Sequence, residues 1–146
     1  MHPRVSAMFV TLLFASTCAL LPSAPYDPAF DTGAVNLRKD VNAFFDEVAA
    51  CNGTGQGTHS AFADDYRAFT SRIAALRGQA VRHPRNESTL QSLDLLRENF
   101  DTVESTHRDG LLPEEVKILR ELVDTQLRLL IQLERAKRGS TREALL

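Results

Sequence analysis

The chain has 146 residues, with 17 Lys and Arg against 19 Asp and Glu, which gives a formal net charge of −2. This balance gives no basic domain that would bind nucleic acid electrostatically, so we predict no nucleic-acid partner. Two cysteines are too few for the disulfide framework that stabilises small secreted domains. A single domain of this size buries roughly 65% of its unfolded surface, which is enough for a core without metal or disulfide.

The N-terminal segment has the three parts of an export signal. Residues 1–4 are basic, residues 5–15 are apolar, and Cys18 follows shortly after them. A positive start followed by roughly 7–15 apolar residues is typical of a secretory signal peptide. The apolar segment is shorter than the about 20 residues that a membrane span needs, although an uncleaved anchor extending to Leu21 stays open. We therefore predict a signal peptide over residues 1–18 and export from the cytoplasm.

Cys18 directly follows a run of small residues, 15–17. This arrangement resembles the lipobox of bacterial lipoproteins, in which the cysteine is lipidated and becomes the mature N-terminus. The run departs from the usual pattern at Ala15, where leucine is commonest, and at Thr17, where glycine, alanine or serine is usual. Two alternatives stay open. Lipidation of Cys18 would anchor the chain to a membrane, whereas ordinary cleavage near Cys18 or Ala19 would release an unmodified exported protein.

Three prolines within residues 19–30 favour an extended, polyproline-like segment, so this stretch is predicted to be a tether. The first helix is predicted to begin at Asp31 or Thr32, either of which can cap exposed backbone amides. It ends before residues 51–57, which contain three glycines and are predicted to form a flexible loop. Its apolar positions fall on one helical face, and they are Leu37, Val41, Phe44, Phe45 and Val48.

The second and third helices each carry one continuous apolar seam. The second is predicted near residues 60–82, and it ends at His83 because a residue before proline avoids helical geometry. The third is predicted to open with Ser88 and Gln91, three residues apart as in a capping box. The seam of the second helix consists of Phe62, Tyr66, Phe69, Ile73, Leu76 and Ala80. The seam of the third consists of Leu90, Leu93, Leu96, Phe100, Val103 and His107.

The fourth helix is predicted to begin at Pro113, because proline is favoured at the first helical position. It ends at Gly139, and residues 140–146 are predicted to be a flexible tail. Its apolar residues are too many for one seam, so either this helix is the most buried of the four or its surplus face contacts a partner. The residues predicted to form this candidate interface are Ile118, Leu122, Leu129 and Ile131.

The predicted connections between the helices are short, which favours antiparallel neighbours. The sequence therefore predicts an all-α fold: an antiparallel up-down-up-down four-helix bundle over residues 31–139, preceded by a signal peptide. We expect Phe69, in the middle of the second seam, to lie in the core.

Glu104 and His107 form a Glu-x-x-His pair, a spacing that supplies ligands in di-iron carboxylate bundles. Such sites need a second copy of the pair on another helix and two further glutamates, and the chain has neither. His107 is expected instead to be a partly exposed residue near a helix C-terminus, where positive charge is favourable. No nucleophile occurs together with a base. We predict no metal site, no cofactor and no catalytic residue, and we expect that the protein is not an enzyme.

With its leader, Cys18, residues 26–28 and helical body, the chain resembles the small exported helical proteins of bacteria that are grouped as lipoproteins of unassigned function. Arg outnumbers Lys by 14 to 3, as GC-rich codon usage tends to give, which also favours a bacterial origin. The resemblance implies a location in the bacterial cell envelope, either in the periplasm or lipid-anchored to a membrane. It carries no active-site residue.

We expect a non-catalytic envelope protein that acts as a helical protein-interaction or assembly module. Its fourth helix would contact a protein partner or a second copy of the chain, and a lipid anchor would hold it at a membrane. The alternative is a periplasmic carrier that holds a small ligand or a metal in the interior of the bundle.

Overall fold

The structure is a computed structural model that describes the backbone of residues 24–143 and the side chains of residues 24–139. The predicted signal peptide over residues 1–18, with Cys18, lies outside the described residues. Among the described residues the secondary structure is entirely helical, with no strand, which confirms the all-α prediction. None of the helices in this part of the chain is long and apolar enough to cross a membrane.

The described chain folds into four α-helices, which span Pro28–Cys51 (α1), Ala63–Ala80 (α2), Glu87–Asp109 (α3) and Pro113–Glu143 (α4). Two short 3₁₀-helices, Gly55–Gly57 and His59–Phe62, lie between α1 and α2. The first lies in the segment 51–57 that was predicted to be a loop. The second takes the place of the predicted first turn of the second helix, so α2 begins later than predicted.

Each helix packs against two others: α1 contacts α2 and α4, and α3 contacts the same two helices. As the residue number rises along α1, the residue number of its partner in α4 falls, as the pairs Asp31–Arg135, Arg38–Asp124 and Asp46–Arg120 show. Contacts between α2 and α3 run in opposite order as well, through the pairs Arg77–Asp94, Phe69–Phe100 and Tyr66–His107.

Phe44 lies at the centre of a cluster of aromatic rings in the core. Its ring contacts four others edge to face, at centroid distances of 5.2 to 5.5 Å, and these rings belong to Phe45, Phe62, Tyr66 and Phe69. Such edge-to-face pairs add to the stabilisation that apolar burial supplies. The five apolar positions predicted for the first helix are all buried, as is Phe69, which confirms the predicted seams there.

The start of α1 differs from the prediction. The helix begins at Pro28, and Asp27 is its N-cap, with a carboxylate that accepts hydrogen bonds from the N–H groups of Ala29 and Phe30 at 2.8 and 3.2 Å. The predicted start at Asp31 or Thr32 is therefore wrong. Asp-Pro is itself a strong start signal, since aspartate caps well and proline fits the first helical position. The carboxylate of Asp31 is left to bind elsewhere.

Residues 24–30 of the predicted tether lie against the helices, and residues 19–23 are outside the described part of the chain. The side chain of Ala24 is buried, and its N–H donates to the carbonyl of Arg85 at 3.3 Å. The hydroxyl of Tyr26 donates to Asp31 at 2.9 Å. The tether prediction is thus wrong for residues 24–30, because these residues find apolar cover and hydrogen-bond partners on the bundle.

The first turn of α3 has no capping box. Glu87 is the first helical residue, and Asn86 occupies the N-cap position without a side-chain hydrogen bond to the helix. Its amide instead donates to the carbonyl of Ala80 at 2.9 Å and accepts from Lys137 at 2.7 Å. The predicted cap at Ser88 and Gln91 is therefore wrong, since Asn86 joins the end of α2 to α4 instead.

The start of α4 is confirmed, and its end is not. The helix begins at Pro113, and Glu115 accepts a hydrogen bond from the N–H of Leu112 at 2.8 Å. It continues through Gly139 to Glu143, so residues 140–143 are helical in their backbone and are not part of a tail. One glycine within a long helix costs about 1 kcal/mol, which the rest of the helix can offset.

Candidate interaction surface

One side of α4 presents large apolar side chains to solvent. Ile118 is 64% exposed, Leu122 is 41% exposed and Leu129 is 57% exposed. At about 100° per residue, these positions lie within about 40° of one another around the helix. Thr125, Gln132 and Ala136, also exposed, extend the same side with steps of three and four. We call the residues Ile118, Leu122, Thr125, Leu129, Gln132 and Ala136 the α4 stripe.

Ile131 does not belong to this surface. It is only 6% exposed and forms part of the hydrophobic core. The candidate interface of four residues is therefore wrong at this position, because Ile131 lies about 180° from Leu122 and about 160° from Leu129 around the helix. The other three predicted interface residues do lie on the exposed side of α4.

Charged residues line one edge of the α4 stripe at intervals of seven. Glu114 and Glu121 are exposed on the first half of the helix, and Arg128 and Arg135 are exposed on the second half. Positions seven apart keep nearly the same direction along a helix that pairs with another helix. This edge is therefore acidic at one end and basic at the other.

A surface groove of about 410 Å³ separates α4 from α1 beside this edge. Four cationic side chains line it, namely Arg38, Lys39, Arg128 and Arg135. Asn42, Val35, Ile131 and Gln132 complete its lining. The groove is open and lies between two helices, so its position is on the surface and not in the interior of the bundle.

Below the groove, a bidentate ion pair joins the two helices. The guanidinium of Arg38 donates to both carboxylate oxygens of Asp124, at 2.7 and 3.1 Å. The hydrogen bonds from Arg38 hold the pKa of the Asp124 carboxyl below its usual range. The Asn42 amide also donates to Asp124, at 2.7 Å, and accepts from Arg120 at 3.1 Å. This network fixes the α4 stripe relative to α1.

At the opposite end of the bundle, His107 is buried and not partly exposed as predicted. Its Nε2 lies 2.9 Å from the carbonyl oxygen of Gly57, and its Nδ1 lies 2.9 Å from the hydroxyl of Tyr66. A neutral ring that carries its proton on Nε2 satisfies both contacts. Burial raises the pKa of the Tyr66 hydroxyl, so this hydroxyl keeps its proton and can donate to the ring.

Glu104, the other member of the Glu-x-x-His pair, contacts His59 and Arg108 and does not form a metal site with His107. Its Oε1 lies 3.1 Å from His59 and 2.9 Å from Arg108. Within the described residues, no group of three or more His, Cys, Asp and Glu is arranged to hold a metal ion. These residues therefore form hydrogen bonds within the fold.

At the end of the bundle where α1 begins, a buried ion pair holds three segments together. Glu134 and Lys137 are 1% and 6% exposed, and their charged atoms are 2.5 Å apart. Glu134 also accepts from the N–H of Asp27 at 2.7 Å, and Lys137 donates to Asn86. Next to this pair, Asp31 binds both Arg135 and Arg138. Together these contacts fix residues 24–31 against the C-terminal part of α4.

Sequence reasoning missed this ion pair. The spacing of Glu134 and Lys137, three residues apart, is compatible with a pair on one helical face. A Glu and a Lys near a helix end are usually exposed, however, and nothing in the local pattern shows that Asp27 and Asn86 would enclose them. Residues brought together over intervals of 51 and 107 positions leave no local signal.

No protein-family model, curated protein or solved structure matches this chain.

Proposed function

We propose that this protein is a non-catalytic, exported protein of the bacterial cell envelope that acts as a helical assembly module. Its four helices form an antiparallel up-down-up-down bundle, which the opposite order of contacts along α1 and α4 and along α2 and α3 supports. The export signal predicted over residues 1–18 supports this location, and lipidation of Cys18 would add an anchor.

The observation that carries the proposal is the exposure of Ile118, Leu122 and Leu129 on one side of α4. Large apolar side chains grouped on one face of a soluble domain commonly mark a protein contact. The alternating steps of four and three along the stripe match the spacing with which two helices interdigitate their side chains. The stripe is thus suited to another helix.

A second copy of the chain is the partner that best fits the charges. In an antiparallel pair of α4 helices, Glu114 of one copy would lie near Arg135 of the second, and Glu121 near Arg128. Opposite charges beside a helical seam set partner choice and orientation. A parallel pair would bring the two acidic halves together and the two basic halves together, which costs energy. We therefore propose antiparallel self-association through the α4 stripe.

The oligomeric state of the full chain tests the proposal. We expect analytical ultracentrifugation to show a dimer that becomes a monomer when Ile118 and Leu129 are both replaced by glutamate, because two buried charges would face each other across the seam. Val81→Glu is the matched control, since Val81 is 59% exposed and lies at the end of α2, outside the α4 stripe. This variant should remain a dimer.

Two results would count against the interface. The first is that the Ile118→Glu/Leu129→Glu variant keeps the oligomeric state of the original chain and that the same proteins are recovered with it from its native envelope. The second is loss of the dimer in Val81→Glu to the same extent. Circular dichroism of each variant separates loss of pairing from loss of folding.

A further inference from the structure

We propose that the end of the bundle where α1 begins is a docking face for an anionic lipid surface. This inference rests on the envelope location in the proposed function, but it does not depend on the α4 stripe. Its partner is a membrane whose phospholipids carry net negative charge.

The charges of the described chain are segregated along the helices. Residues 24–39, 72–97 and 126–139, which form the half containing the start of α1, carry eleven Lys and Arg against five Asp and Glu, a net charge of +6. Residues 40–71 and 98–125, which form the other half, carry four Lys and Arg against thirteen Asp and Glu, a net charge of −9. The formal net charge of −2 thus conceals two halves of opposite sign.

Four arginines at the basic end are exposed, whereas two of the carboxylates there are buried. Arg82 and Arg85 are exposed in the loop between α2 and α3. The side chains of Arg135 and Arg138 are 52% and 58% exposed on the last turns of α4.

Two of the carboxylates nearest to these arginines lie below the surface, and a third is only partly exposed. Asp31 and Glu134 are buried and paired with cations, and Asp27 lies 3.5 Å from His83. Glu87 is exposed at this end as well, one carboxylate against four arginines. The surface that faces outward is therefore positive, and arginines at such a surface attract anionic headgroups.

The chain also enters the bundle at this end. Ala24 is fixed to the α2–α3 loop by its hydrogen bond to Arg85, and it lies six positions after Cys18. A chain of that length reaches at most about 21 Å when fully extended. A bundle helix of 24 residues is about 36 Å long. An anchor at Cys18 would therefore bring the basic end, and not the acidic end, to the membrane.

The test uses the full chain with Cys18→Ser, so that no lipid contributes to binding. Cosedimentation is measured with vesicles of phosphatidylglycerol and phosphatidylcholine in equal parts, and with vesicles of phosphatidylcholine alone. We expect stronger binding to the anionic vesicles, which is lost at about 0.5 M salt because the charges are screened. Arg82→Gln/Arg85→Gln should weaken that binding about 25-fold, at about fivefold for each arginine.

The control is Arg67→Gln/Arg108→Gln, which removes the same charge from two exposed positions in the acidic half. It should bind anionic vesicles as strongly as the Cys18→Ser chain in which all arginines are kept. Equal binding to both kinds of vesicle, or equal loss in both double variants, would overturn the proposal. So would arginine-dependent binding to duplex DNA without binding to vesicles. The Ile118→Glu/Leu129→Glu variant should keep its preference for anionic vesicles, which separates failure of this inference from failure of the assembly function.

Discussion

Glu134 and Lys137 form an ion pair in the interior of the bundle end, with their carboxylate and ammonium groups 2.5 Å apart. Both side chains are almost fully buried. Removing one member leaves the other as an uncompensated buried charge, which is far more costly than removing both. The pair therefore holds residues 24–31 in place only as long as both charges are present.

We expect Lys137→Met to lower the free energy of unfolding by about 3–5 kcal/mol, because the buried carboxyl group of Glu134 would lose its partner. Adding Glu134→Gln should restore most of this loss, since the glutamine oxygen can still accept from the N–H of Asp27 and carries no charge. Urea denaturation of both variants measures the difference. If the double variant were less stable than Lys137→Met, the cost would not arise from the unpaired carboxylate.

Phe69 lies in the aromatic cluster, with ring centroids of Phe44 and Phe100 at 5.4 and 5.6 Å. Phe69→Ala should lower the free energy of unfolding by about 3–5 kcal/mol, since it removes apolar contacts and leaves a cavity. Val81→Ala, at an exposed position, should change it by no more than about 0.5 kcal/mol. A loss below about 1 kcal/mol for Phe69→Ala in denaturant melts would contradict the packing of this face of α2.

Gly57 has no room for a side chain. A Cβ at this position would lie 2.2 Å from the carbonyl oxygen of Cys51, and the carbonyl of Gly57 itself accepts from the buried His107. We expect Gly57→Ala to destabilise the protein by about 1–3 kcal/mol through steric strain. Gly55→Ala is the matched control, because a Cβ there meets nothing within 4 Å. Equal stability of the two variants would show that this turn can shift without cost.

The Arg38–Asp124 pair gives a pH dependence of defined sign. The pKa of Asp124 is lower in the folded protein than its ordinary value of 3.8, so the pair stabilises the fold above that value and loses its effect as the pH falls through the folded pKa. At pH 7, Arg38→Gln should cost about 0.5–1 kcal/mol, a range that allows for the partial exposure of the pair. This cost should shrink as the pH is lowered below about 4.

Chemical denaturation of Arg38→Gln and of the original chain at a series of pH values measures this effect. Arg82→Gln, a change at an exposed loop arginine, serves as the control for the loss of one positive charge. A cost of Arg38→Gln that stays constant from pH 7 to about pH 2 would show that Asp124 does not mediate the effect.

The orientation of the proposed pair is tested by exchanging charges. Glu121→Arg should weaken self-association, because it would face Arg128 of the second copy in an antiparallel arrangement. Adding Arg128→Glu should restore it, by about the 2–30-fold that one or two surface ion pairs supply. Sedimentation equilibrium measures both variants. Failure of the second change to restore pairing would exclude the antiparallel register.

The apolar positions were the most predictable part of this fold. Val41, Phe44 and Val48 follow the helical period, and each is buried as the spacing indicates. The α4 stripe was predictable from the number of apolar residues in the fourth helix. A helix with more apolar residues than one seam needs must expose some of them. The error at Ile131 arose because the sequence shows that α4 has a surplus of apolar residues but does not show which of them pack against the other helices.

Polar residues in the interior were not predictable from local patterns. His107 is buried because Gly57 and Tyr66, 50 and 41 positions away, supply partners for both ring nitrogens. The burial of Asn86 likewise depends on Lys137. Such partners are known only once the helices are assembled. The segregation of charge between the two halves was unpredictable for the same reason, because it depends on which helix ends lie together.

This segregation gives the molecule an electric dipole along its long axis. A charged surface exerts a torque on such a body before contact, so a single copy would approach an anionic membrane with its basic end leading and its helices upright. The α4 stripe would then run along the side of the molecule, perpendicular to the membrane plane. In the proposed antiparallel pair, the two copies point in opposite directions. Docking of one basic end leaves the other facing away, where it is available to a second, opposing surface.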